Sequence, residues 1–124
     1  ADGKIDMSND KFTIHYKQHR VTTDFAGAPC LLVYYDYSNN GSSASSAMVD
    51  VNLQAYQNGN LLEPAIPESD DEAIDQFMTE VQPGQAVTVC QAFTLQDESD
   101  VTLQAGEAFS FGGGTVVSQV LKIK

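Results

Sequence analysis

The chain has no tryptophan, two cysteines, four prolines and six basic side chains against 17 acidic ones in 124 residues. Each shortage removes a class of function. The six Lys and Arg are scattered, with only Lys17, His19 and Arg20 close together. Such a set cannot displace the counterions of a nucleic-acid backbone, and a net charge of −11 repels phosphates and anionic headgroups. Nucleic acid is therefore not an expected partner. Cys30 and Cys90 form no C-x-x-C pair, which excludes zinc-ribbon and thioredoxin-type sites. No stretch approaches the roughly 18 apolar residues of a membrane span. Ser42–Ser46 and Gly112–Gly114 lack the Lys-Ser/Thr of a phosphate-binding loop and the Gly-x-Ser-x-Gly of a hydrolase elbow. With no tryptophan to stack sugar rings, the abundant carboxylates do not make a glycosidase.

What is present is a core. Hydrophobic residues make up 42% of the chain, rich in the Val, Tyr, Phe and Leu that suit a pleated surface. Their order alternates. Phe12, Ile14 and Tyr16 alternate with polar neighbours in a strand reaching about Val21, and Asp24–Pro29 turns the chain. Cys30–Tyr37 is the strongest strand. Leu31, Val33, Tyr35 and Tyr37 share the core parity; Cys30, Leu32, Tyr34 and Asp36 share the other. Because that second face is also apolar, the strand is central or its outer face is covered.

Ser38–Ser46 reads as a loop and Met48–Tyr56 as a strand. Asn58-Gly59 supplies the positive φ angles of a type I′ hairpin, returning through Leu61-Leu62 before Pro64 and Pro67 end the sheet. Ser69–Glu80 looks helical, with Ser69 and Glu72 at capping-box spacing and Ile74, Phe77 and Met78 on one stripe. After the Pro83-Gly84 turn come strands over Ala86–Leu95, Val101–Phe111 (a bulge expected at Gly106) and Thr115–Lys124. The expectation is an all-β, immunoglobulin-like antiparallel β-sandwich of about seven strands, with one short helix around residues 69–80. Residues 1–10 read as a polar linker after a removed export signal, and 11–124 as the domain.

The run Leu31-Leu32-Val33-Tyr34-Tyr35-Asp36-Tyr37-Ser38-Asn39-Asn40, the hairpin Gln57-Asn58-Gly59 with Leu62-Glu63, and the turn Val81-Gln82-Pro83-Gly84-Gln85 resemble a known family. It is an uncharacterised family of immunoglobulin-like domains in secreted lipoproteins of Gram-positive bacteria. The resemblance covers roughly residues 11–111. It implies an immunoglobulin-like fold and a cell-surface, lipid-anchored or secreted protein, the membrane being reached only through the anchor. It brings no catalytic residue and no cofactor. Cys30, Cys90 and the acidic insert at 68–75 depart from the family pattern.

Four constellations could carry function. Cys30 and Cys90 both take the outward parity, so pairing of their strands would give either a cross-strand disulfide or two buried thiols. Leu32 and Tyr34 form either an outward binding face or a floor covered by a loop or the helix. Asp70, Asp71, Glu72 and Asp75 offer carboxylates to calcium, or simply a solvated helix start, without the alternating ligands of an EF-type loop. His15 and His19 share a parity about 13 Å apart, too far for one metal. The functional expectation is a non-enzymatic extracytoplasmic module that binds a protein or cell-envelope component. The alternatives are a structural spacer, or a weak calcium- or saccharide-binding module using the acidic insert.

Overall fold

The structure, a computed structural model, describes residues 4–68, 71–107 and 116–123. The chain runs through β1 (Met7–Ser8), β2 (Phe12–Thr23), β3 (Pro29–Asn39), α1 (Ala47–Asp50), β4 (Val51–Gln57) and β5 (Asn60–Leu61). It continues through α2 (Glu72–Gln76), β6 (Ala86–Thr94), β7 (Val101–Glu107) and β8 (Val116–Leu121). Two four-stranded antiparallel sheets result, ordered β1-β2-β3-β6 and β5-β4-β7-β8. The protein is an all-β sandwich.

Alternation in the sequence becomes the core. Phe12, Ile14, Leu31, Val33, Tyr35, Tyr37 and Val89 of the first sheet face Leu53, Ala55, Val101, Leu103, Ala105 and Leu121 of the second, all buried in one cluster. Each fully buried large side chain contributes about 1.5–3 kcal/mol of transfer free energy. Ile5 joins this cluster with no exposed surface, and β1 pairs Met7 with Ile14. The polar linker expected over residues 1–10 therefore gives way from Ile5 onward to part of the sandwich. Ile5 and Met7 stand two apart with Asp6 between them, but two apolar residues are too few for a period to stand out.

Both turns read from Gly are built as expected. Asn58 and Gly59 take φ of 52° and 81°, the type I′ requirement. In the Pro83-Gly84 turn, Gly84 has φ of 82° and Gln85 N donates to Gln82 O at 3.0 Å, a type II arrangement. Two buried amides pin the loops. Asn39 Nδ2 donates to Ser43 O and Val81 O, both at 2.9 Å, and its Oδ1 accepts from Gly41 N. Gln57 Nε2 donates to Asp97 O and Ser99 O while its Oε1 accepts from Gln96 N.

Two boundaries and one bulge differ from the sequence expectation. Residues 47–50 open as α1, because Ser46 caps that turn through Val49 N; β4 starts only at Val51. α2 spans five residues, and its cap is Asp71, whose side chain accepts from Ala73 N; Ser69 lies outside the described residues. Gly106 pairs in register with both neighbours, without a bulge. The bulge is at Lys17 in β2, where the register shifts between Tyr16 and Gln18. The expected continuation of β7 to Phe111 and the triple glycine also fall outside the described residues.

Candidate functional site

The bulge at Lys17 builds the site. Before it, Phe12, Ile14 and Tyr16 take the inward parity of β2; after it, His19 lies opposite Val33 and Val21 opposite Leu31. One extra residue reverses which set faces out. Gln18 and Arg20 are thereby placed on the outer face, opposite Tyr34 and Leu32. The same reversal separates the histidines. His15, opposite Asp36, is on the outer face, whereas His19 turns inward, its ring bonded to Tyr16 Oη at 2.5 Å and Lys122 O at 3.3 Å. The shared parity expected for His15 and His19 does not occur.

On that outer face a second apolar cluster gathers Leu32, Tyr34, Cys90 and Ala73, with Ile74 and Ala92 packed against it. Ala73 and Ile74 belong to α2, so the helix caps the aromatic face. Leu32 and Tyr34 are 1% and 6% exposed; they form a floor, not an open surface.

A polar tie fastens the helix to this floor. Tyr34 Oη donates to Asp71 Oδ2 at 2.5 Å, Arg20 Nε donates to Tyr34 Oη at 3.2 Å, and Arg20 Nη2 lies 3.8 Å from Asp71 Oδ2. The guanidinium also sits 5.9 Å from the Tyr34 ring centroid, within cation–π range. The Tyr34 hydrogen bond, then the Ala73 N–H, hold the Asp71 carboxyl below its usual range. Burial first, then the bond to Asp71, pushes the Tyr34 phenol up to about 12. Beside the tie, Lys17 Nζ lies 3.6 Å from Asp36 Oδ1 and 3.5 Å from Thr88 Oγ1.

Between β2 and α2 these groups border a groove of about 620 Å³, lined among others by Lys17, Gln18, Arg20, Tyr34, Glu72 and Gln76. It carries charges of both signs, with Tyr34, Ala73 and Val87 as its apolar lining. That suits a ligand segment with complementary polar groups.

The cysteines are near one another in strand order but not in register. β3 and β6 do pair, yet Cys30 is opposite Thr94 and Cys90 is opposite Tyr34. Four residues separate the two along the ladder, about 13 Å, where a disulfide needs Cα atoms roughly 4.4–6.8 Å apart. Both are free, buried thiols. The core sets this register: Leu31 faces Phe93, Tyr35 faces Val89 and Tyr37 faces Val87. Burial first, then the Asp71 charge, pushes the Cys90 thiol up to about 12. Burial and Asp24 raise Cys30 as well. Both sulfurs stay protonated at neutral pH and are poor nucleophiles.

The acidic insert divides. Asp70 lies outside the described residues, and Asp71 is occupied by Tyr34, Arg20 and Ala73. Glu72 and Asp75 sit in the first turn of α2, where the positive end of the helix favours them. Among the described residues no three His, Cys, Asp or Glu side chains converge on a point that could hold a metal ion. Sequence reasoning missed Arg20 and Lys17 as site residues. The available signal was Lys17-Gln18-His19-Arg20, four polar residues where strict alternation fails.

Comparison with known proteins adds a family. Residues 2–107 match the family described as a domain of unknown function, DUF5067. The chain belongs to that family. No curated protein matches it. Among solved structures, a Bacillus subtilis protein named "putative lipoprotein" superposes with a TM-score of 0.69 at 15% identity. The match covers 98% of this chain but only 39% of that one, so the chain spans about two fifths of its length. A Staphylococcus aureus protein, also named "putative lipoprotein", gives 0.71 at 12% identity, covering 96% of this chain and 88% of the other. At such identities the likeness is one of fold. Among the described residues no helix is long and apolar enough to cross a membrane.

Proposed function

We propose that this is a non-enzymatic, extracytoplasmic lipoprotein domain that binds a protein or cell-envelope ligand in the groove beneath α2. The observation that carries the reading is the gathering of Lys17 and Arg20, two of only six basic residues, with Asp71 and Glu72 around one groove. Extracytoplasmic placement and a lipid anchor draw support from the names of the two fold neighbours. The immunoglobulin-like description draws support from strand order. β2, β3 and β6 share one sheet while β4, β7 and β8 share the other, as strands A, B, E and C, F, G do in that architecture. A spacer role is the second reading, favoured by the fact that Lys17, Arg20 and Asp71 already pair with neighbours in the domain itself.

Co-sedimentation with Gram-positive cell-wall sacculi and with protoplast membranes tests this directly. A Lys17→Ala, Gln76→Ala variant leaves the Arg20–Tyr34–Asp71 tie intact. It should melt like the parent yet lose about tenfold or more in binding, the scale of one or two contact residues of hot-spot strength. Equal binding by the variant removes the groove as the site. Absence of parent binding to either fraction leaves the spacer.

A further inference from the structure

The opposite broad face of the sandwich has a different chemistry. On β4 the outward residues are Asn52, Gln54 and Tyr56; on β7 they are Thr102, Gln104 and Gly106. β8 adds Ser118 between Val116 and Val120, and β5 adds Leu61 opposite Tyr56. No outward residue of these four strands is charged, although the chain is 19% charged and carries −11. Tyr56 Oη donates to Gln54 Oε1 at 2.9 Å. A hydroxyl that reaches two residues back along its own strand lays the ring along the sheet instead of standing off it.

This uncharged surface continues over the β4 edge. β5 pairs with β4 only at Tyr56 and Gln57, and beyond that pairing lies a cleft of about 250 Å³. Three amides, Asn52, Gln54 and Gln91, line it together with Leu61 and Phe93, and none of its lining residues is charged. Tyr35 Oη donates to Gln91 Oε1 at 2.6 Å, fixing that amide at the cleft wall.

From this surface we infer a second binding site, for a neutral oligosaccharide, with Tyr56 as its platform and Asn52, Gln54, Gln91 and Gln104 as its hydrogen-bonding groups. Amides and hydroxyls each donate and accept, as sugar hydroxyls do, and the Tyr56 ring supplies the flat apolar surface for which the sequence offers no tryptophan. Charge selects the occupant: a face without charge gives no recognition to an ionic partner but does not penalise a neutral one. Area argues against a second copy or a globular partner. Three strand spacings by four residues is about 14 Å by 14 Å, about 200 Å², where a stable protein interface needs about 800 Å² per partner.

Chitotetraose and cellotetraose, both neutral, are titrated into the ¹⁵N-labelled domain, with an uncharged extended peptide as a third arm. Saturable shifts confined to the Gln54, Tyr56 and Gln104 region, with a dissociation constant of about millimolar or tighter, are the expected result for at least one sugar. Tyr56→Ala and Gln104→Lys should each weaken binding about tenfold at unchanged melting temperature; Gln104 is an exposed position, so this second variant keeps the fold. Three results overturn the site: no saturation at about 10 mM of either sugar, a limit near the weakest specific affinities; full binding by both variants; or capture of the peptide instead, which would reassign the β4 edge to strand addition. The groove beneath α2 is on the other face, so neither outcome depends on it.

Discussion

Tyr34→Phe deletes one hydroxyl and leaves the ring on its floor. That hydroxyl donates to Asp71 and accepts from Arg20. Hydrogen bonds to charged groups contribute about 1.5–3 kcal/mol each, but the Asp71 and Arg20 side chains are 28% and 50% exposed, so water replaces part of what is lost. The expected cost is about 1–2 kcal/mol, a melting-temperature drop of about 4–8 °C for a domain of this size. The pH dependence identifies the cause. Asp71 has a lowered folded-state value, so its contribution is present above about pH 4 and disappears as pH falls through that value. Tyr34 has a raised one, about 12, so its contribution is complete below about pH 10 and is lost as pH rises toward 12. The stability gap between parent and variant should be widest between those limits and narrow outside them. Urea unfolding across pH, with Asp71→Asn completing a double-mutant cycle, should return about 1 kcal/mol of coupling. A coupling below about 0.3 kcal/mol at pH 7, or a gap that does not change in acid, would refute the tie.

The native protein should show one mass with and without reductant. Cys30 and Cys90 should react with a thiol reagent at pH 8 only as fast as the domain opens, and immediate labelling would contradict their burial. Asn39→Ala should cost about 2–4 kcal/mol in urea unfolding, because it strands Gly41 N–H and the Ser43 carbonyl and takes from Val81 O one of its two donors, Ser45 N remaining; a cost near zero would mean water replaces all three bonds. Deleting Lys17 removes the extra residue but leaves Tyr16 opposite Tyr35, Gln18 opposite Tyr34 and Arg20 opposite Leu32, so the ladder should close in its present register with Arg20 still outward and stability within about 1 kcal/mol of the parent. A deletion variant several kcal/mol less stable than the parent, as burial of Arg20 would make it, would show that the register of β2 against β3 does not survive loss of the bulge.

Legibility in the sequence followed the physics of each element. β3 was readable because both parities are apolar from Cys30 to Tyr35, which only a central, covered strand tolerates. The Asn58-Gly59 and Pro83-Gly84 corners were readable because their backbone angles leave few alternatives. β1 and α1, of two and four residues, are too short for any period to show. The Lys17 bulge was hidden because a one-residue insertion leaves composition unchanged and shifts only phase, and with it went Arg20 and the true facing of His19. The cysteine geometry was half readable. Pairing of β3 with β6 followed from the sandwich, but register is set by which core residues face each other, and spacing along one chain does not contain that.

The same residues that make α2 possible make the groove. A helix of five residues cannot hold itself in water, because nucleation is not offset by so few hydrogen bonds. α2 exists because Ala73 and Ile74 rest on Leu32, Tyr34 and Cys90 and because Asp71 is bound from below. The tie is therefore a support and a contact site at once. A ligand group that draws Arg20 away from Asp71 weakens the hold on the helix that forms one wall of the groove, whereas a ligand that engages Lys17, Gln18 and Gln76 leaves it in place. Under the proposed reading the tightest ligands are those of the second kind, and binding should raise the unfolding free energy by the mass-action amount alone, about 2.7 kcal/mol at a hundredfold excess over the dissociation constant. A markedly smaller rise would show that the ligand also binds the unfolded chain.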